Sequence, residues 1–218
     1  MLHYLRELFY ALDFASMSAA VLRVAAIILC MTVHETCHGL AAYALGDPTA
    51  KSMHRLSLNP LRHIDWFGLA MMVLCGFGWA KPVPVDPRYF KKPKEGMALT
   101  ALAGPVSNFV LAVVLMLGAR AIYDHASYVT LWQQVFTFLL NTAVLSIGLG
   151  LFNLIPLPPL DGSKVLGALL SDRAYFTLMR YERYGMLVLI LLSFTNIGGG
   201  MLSRAIMAVY TGLVNLIF

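Results

Sequence analysis

Residues 21–45 read VLRVAAIILCMTVHETCHGLAAYAL. The run is long enough to cross a bilayer as a helix, for which about 20 apolar residues suffice. Within it sit three ionisable groups, His34, Glu35 and His38. Positions i and i+4 share one helix face, so both imidazoles can reach a single metal ion. Glu35 lies beside them, where it can take a proton from a water that the metal activates. Ionisable side chains at membrane depth are expensive and mark functional sites. The stretch therefore predicts a transmembrane helix that carries chemistry.

The composition of the whole chain agrees. Hydrophobic residues make up 59% of the 218 and charged residues 12%, about half of what a soluble domain carries. Mean hydropathy is +0.73. A soluble globule of this size cannot hide so much apolar surface. Disorder is excluded by the same numbers. A disulfide-built module is excluded by having only Cys30, Cys37 and Cys75. The net charge of +5 predicts basic loops facing the cytoplasm, with no nucleic-acid partner.

Outward from the first helix, predicted over Ser18–Leu45, a polar stretch runs from Gly46 to Asp65. Trp66–Ala80 is apolar but short for a crossing, and holds Gly68, Gly76 and Gly78. It reads as either a span or a re-entrant element, which is allowed at depth only when protein covers it. Lys81–Glu95 is basic and proline-rich. Long helices are predicted over Met97–Ile122 and Leu131–Leu154. IPLPPLDG, Ile155–Gly162, must break helix, because its prolines lack the amide donor and clash with the preceding turn. A short helix is predicted over Ser163–Leu170, and further apolar segments over Tyr184–Ile197 and Met201–Phe218. The first residues, MLHYLRELFYALDF, read as an interfacial amphipathic helix rather than a cleavable signal.

The fold class expected is an all-α polytopic membrane protein. It has about five to six transmembrane helices and a re-entrant or short β-like membrane element. One domain spans 1–218, with a catalytic core over 18–170 and C-terminal helices over 184–218. Lys51, Arg55 and Arg62, then Lys81 to Lys94, then Arg173 to Arg183 fall in short loops, while Tyr123–Thr130 has no Lys or Arg. The excess of positive charge places the first three groups in the cytoplasm and 123–130 outside. Both basic loops around Trp66–Ala80 then share one side, which favours re-entry.

A catalytic zinc takes three protein ligands and keeps an open position. Asp161, after the proline break and on the predicted side of the histidines, is the third candidate, against a plain turn or helix cap. Asn108, in AGPVSN, is either a donor to the oxyanion or substrate backbone, or a helix–helix hydrogen bond. Asn153 either orients Asp161, holds unwound substrate, or caps the broken helix. Gly104 and Pro105 permit close packing and a kink. Cys37 lies about 100° from His38 around the helix and reads as a small hydrophobe. His54, His63 and His125 read as surface residues.

HETCH, GDPTA…LSLNP…HID, GFGWAKPVPVDPRYF, AGPVSN and NLIPLPPLDG occur in that order. Together they resemble the site-2 protease family of intramembrane zinc metalloproteases, from about Val33 to Gly162. The resemblance is to the compact prokaryotic type, without PDZ or CBS domain. Thr36 and Cys37 depart mildly, standing where a bulky apolar residue is common. The resemblance implies one zinc per chain on His34, His38 and Asp161, with Glu35 as acid and base. It also implies a transmembrane helix of a membrane protein as substrate, cut near the cytosolic face of the cell (inner) membrane. Two other readings use the same groups: a metal or proton transporter, and a catalytically silent membrane chaperone.

Overall fold

A computed structural model describes residues 17–75, 79–126, 129–193 and 199–218. The amphipathic segment expected at the N-terminus lies outside them. Helix α1 runs Met17–Ala44 and is stopped by Gly46, whose φ of +106° only glycine takes readily. A one-turn helix α2, Thr49–Ser52, and a short 3-10 turn, Pro60–Arg62, follow in the polar loop. Then come α3, Trp66–Cys75, and the long α4, Pro93–Ala126, with proline at its first position, where no amide donor is needed. Helix α5, Thr130–Asn153, ends at the proline break. Helix α6, Asp161–Leu169, α7, Asp172–Ser193, and α8, Gly199–Ile217, complete the order.

Among the described residues there is no strand. Four helices are long and apolar enough to cross a membrane: Ala20–Ala44, Pro93–His125, Thr130–Asn153 and Gly200–Ile217. The chain is a multi-pass α-helical membrane protein. The apolar segment expected from Tyr184 is the second half of α7, whose first half carries Arg173 and Arg180.

The packing is inverted relative to a soluble bundle. Val106, Val110, Val114 and Leu117 form an exposed stripe along α4. The interior holds Thr32, Thr36, Asn108, Thr142 and Ser146. Hydrocarbon accepts the stripe, whereas polar groups must find partners inside. They do so. Ser146 Oγ donates to Asn108 O across α5 and α4 at 2.8 Å, and Thr142 Oγ1 donates to Phe138 O at 2.7 Å. Beyond this polar centre Ala112, Leu115 and Met116 of α4 pack with Ala143 and Ile147 of α5 and Leu202 and Ile206 of α8.

Helix α3 is short for a crossing. Helix α3 has 10 residues, about 15 Å of rise against a hydrocarbon core of about 30 Å. Described residues on either side of 76–78 meet: Lys81 N donates to His63 O at 2.9 Å, and the rings of Phe67 and Trp79 lie 5.6 Å apart. Residues 79–86 then run as an extended arm. Arg55 donates to Lys81 O and Pro82 O, and buried Asp47 accepts from Asp86 N at 2.7 Å. The Arg88 guanidinium holds the Asp86 carboxyl below the usual carboxylate range. His63 is a correction to the surface reading. It is 1% exposed and its Nε2 donates to Ser57 O, because the loop folds back onto α1, where Thr36 Oγ1 also donates to Ser57 O.

Candidate metal centre

Three donor atoms from two distant parts of the chain converge. His34 Nε2 and His38 Nε2, one turn apart on α1, are 2.9 Å from each other. Oδ2 of Asp161, the first residue of α6, lies 3.1 Å from the former and 3.2 Å from the latter. All three residues are buried. Asp161 begins its helix two residues before the predicted start. Gly162 lets it do so, since a side chain there would strike the carbonyl of Leu154 at the end of the break. Cys37 is not among the converging groups, and Cys30 is buried, with Sγ 3.8 Å from Thr142 O. Cys75 falls where no side chain is described.

The tautomers decide what the cluster can hold. His38 Nδ1 donates to Thr100 O at 2.7 Å. A carbonyl only accepts, so Nδ1 carries the hydrogen and Nε2 presents a lone pair. That lone pair faces a carboxylate oxygen and a second imidazole nitrogen. Acceptors this close repel unless a cation lies among them. His34 Nδ1 faces Nδ2 of the Asn108 amide at 2.9 Å, while the amide oxygen has no partner among the described residues. Amide oxygen and nitrogen have the same shape, and with oxygen on Nδ1 the His34 Nε2 also offers a lone pair. Two imidazoles and a carboxylate are a donor set suited to zinc.

Helix α4 supplies the wall. A Cβ at Gly104 would lie 2.5 Å from His38 Cε1 and Nε2 and 2.7 Å from His34 Cε1. The backbone of α4 thus packs directly on both rings. A cavity of about 530 Å³ opens in front of the cluster, lined by His34, Glu35, His38, Asn153, Asp161 and Lys164 among others. Glu35 is outside the converging set. Its Oε2 accepts from Val83 N of the extended arm at 2.9 Å.

The two asparagines differ in placement. Asn108 is fully buried on His34, between helices, and does not line the cavity. Asn153 lines it, but its Nδ2 donates back to Leu149 O at 2.9 Å. Sequence reading missed Thr100, Val83 and Lys164. The first two act through backbone atoms and leave no side-chain signature. Lys164, three residues after Asp161, could have been found by helical spacing.

Residues 120–195 match the model of peptidase family M50. "Putative zinc metalloprotease YwhC" of Bacillus subtilis strain 168 is 39% identical over 180 residues, covering 80% of this chain and 81% of that protein. "Putative zinc metalloprotease Rip2" of Mycolicibacterium smegmatis is 28% identical over 182 residues, covering 80% of this chain and 67% of that one. "Zinc metalloprotease RasP" of Oceanobacillus iheyensis is 47% identical over 57 residues, covering 26% of this chain and 13% of that one. No solved structure matches significantly.

Proposed function

The chain belongs to peptidase family M50, and on that premise we propose that it is an intramembrane zinc metalloprotease, hydrolysing peptide bonds within transmembrane segments of membrane proteins. The observation that carries the reading is the meeting of His34, His38 and Asp161 donor atoms at 2.9–3.2 Å beside Glu35, in a cavity inside an apolar bundle. Those three residues hold the zinc. When bound, zinc lowers the pKa of a water toward about 7 and polarises a carbonyl.

The remaining roles belong to the chain. Glu35 takes the proton of the attacking water and later delivers it to the leaving amine nitrogen. Val83 N–H holds its Oε2, which fixes the carboxylate and leaves Oε1 for the proton. Thr100 O and Asn108 orient the two imidazoles, each by its Nδ1. Asn153, with one N–H turned to Leu149 O, offers Oδ1 to the backbone of an unwound substrate. The extended arm closes one side of the cavity through Pro82 and Val83. The whole stretch 1–218 works as one membrane domain, with α8 packed into the core of α4 and α5. The loop charges support a site facing the cytoplasm from the cell (inner) membrane.

The test is Glu35→Gln, reconstituted in vesicles with a single-span substrate. Zinc stoichiometry and thermal stability stay at wild-type values, while hydrolysis falls by about 10²–10⁴-fold, the usual loss with a general base. A variant that cleaves at near wild-type rate overturns the mechanism. One that loses zinc makes Glu35 a ligand and restores the transporter reading. A wild-type protein that carries zinc and cleaves nothing favours the silent relative.

A further inference from the structure

Hydrolysis of an amide builds negative charge on the scissile carbonyl oxygen, and a donor aimed into the cavity stabilises it. Neither asparagine nominated by the sequence brings a positive charge to it. Asn108 is sealed against His34, and the Asn153 amide turns one of its two N–H groups back to Leu149 O. One cationic side chain lines the cavity among the described residues, Lys164.

Lys164 sits on the first turn of α6, one helical turn after Asp161 and on the same face. Its Nζ lies 4.0 Å from Asp161 Oδ1, beyond hydrogen-bond reach, and its side chain is 26% exposed. It makes no hydrogen bond among the described residues. Lys94 of α4, equally shielded, spends its ammonium on Leu170 O at 2.6 Å and Asp172 Oδ1 at 3.0 Å. The two oxygens of Asp161 are divided: Oδ2 faces both imidazoles and Oδ1 faces Lys164. The ammonium is thus held next to the metal ligands, on the cavity side, ion-paired with Asp161 but with no hydrogen bond among the described residues.

We infer that Lys164 is a catalytic residue of this site, donating an Nζ–H to the scissile carbonyl oxygen as that oxygen becomes negative. The inference rests on the protease reading above. Water oxygen bonds to the carbonyl carbon, Glu35 receives the water proton, and the carbonyl oxygen carries the charge against Lys164. When the carbon–nitrogen bond breaks, the carbonyl double bond re-forms and Glu35 returns its proton to the leaving nitrogen. Lys164 keeps its proton throughout. Its interaction belongs to the transition state, so it acts on kcat rather than KM.

The experiment uses the full chain, zinc-loaded, in phosphatidylethanolamine–phosphatidylglycerol vesicles with a single-span substrate. Lys164→Met keeps the length of the side chain and removes the charge. Expected are an unchanged zinc stoichiometry, a kcat lower by about 10²–10³-fold, as on losing an oxyanion donor, and a KM within about threefold. Affinity for a phosphinic-peptide analogue, which mimics the charged tetrahedral carbon, falls by about 10²-fold. Trapping of uncut substrate in a Glu35→Gln background does not change. Lys164→Arg recovers a substantial part of kcat. If Lys164→Met turns over at the wild-type rate, or loses zinc and both ligands alike, Lys164 is only a neighbour of Asp161 and the inference falls while the protease reading stands. If the wild-type protein cleaves nothing, both fall together.

Discussion

Replacing Gly104 by alanine adds one methyl group to α4 at the point where that helix lies against the metal ligands. The new carbon would stand 2.5 Å from two atoms of the His38 ring and 2.7 Å from His34, whereas ordinary contact begins at 3.4 Å. The shortfall is about 0.9 Å. Metal sites tolerate distance errors of about 0.2 Å, and catalytic constellations about 0.5 Å. Neither ring can retreat alone. His38 is tied to Thr100 O one turn before Gly104, and His34 to Asn108 one turn after it, both on α4 itself. Either α4 moves away bodily, at about 1–3 kcal/mol of lost packing, or the imidazoles leave their positions. Zinc affinity should fall at least about 10²-fold, the upper end of what disturbed ligand support produces. Turnover should fall with it. The assay is zinc occupancy across a chelator-buffered zinc series, with thermal unfolding and cleavage of a single-span substrate on the same preparation. Gly118→Ala is the control, on the same helix but with its Cβ meeting only Leu139 at 3.7 Å. It should bind zinc normally and be neutral or up to about 1 kcal/mol more stable, the helix gain of alanine over glycine. A Gly104→Ala protein with wild-type zinc affinity and rate would refute the close approach of α4 to the ligands.

Other expectations concern individual groups and the path of the chain. Asp161→Ala should lower zinc occupancy and abolish cleavage, and full zinc with full rate would remove Asp161 from the ligand set. Asn108→Ala should weaken zinc binding by about 10–100-fold while the bundle still folds, since it frees the His34 ring; unchanged affinity would reduce Asn108 to a packing group. Cysteine-accessibility labelling should place 51–62, 81–94 and 173–183 on one face and 123–130 on the other. Labels for 51–62 and 81–94 on opposite faces would make 66–80 a span and contradict the contact between Lys81 and His63.

The membrane class, the helix ends expected at Leu45, Leu131 and Leu154, each within one residue of the observed Ala44, Thr130 and Asn153, and the nomination of His34, Glu35 and His38 were legible in the sequence. Each depends on local physics: an apolar run long enough to span, prolines that remove helical donors, and a four-residue spacing that puts two side chains on one face. Asp161 was legible as a candidate through the need for a third ligand, but its meeting with residues 127 and 123 positions earlier is a matter of how α6 docks. The path of 66–80 was only half legible: charge counting favours re-entry, and the hydrogen bond from Lys81 to His63, which brings the flanking residues together, supports it. What support the site receives belonged wholly to tertiary structure. Thr100 acts through a carbonyl and Val83 through an amide, groups every residue possesses, so no residue type announces them. The roles of Asn108 and Lys164 depend on direction, one sealed between helices and the other open to the cavity. Sequence spacing sets which face of a helix a side chain leaves from. Only the packing of that helix against others sets whether the face meets a metal ligand, a neighbouring backbone or a substrate.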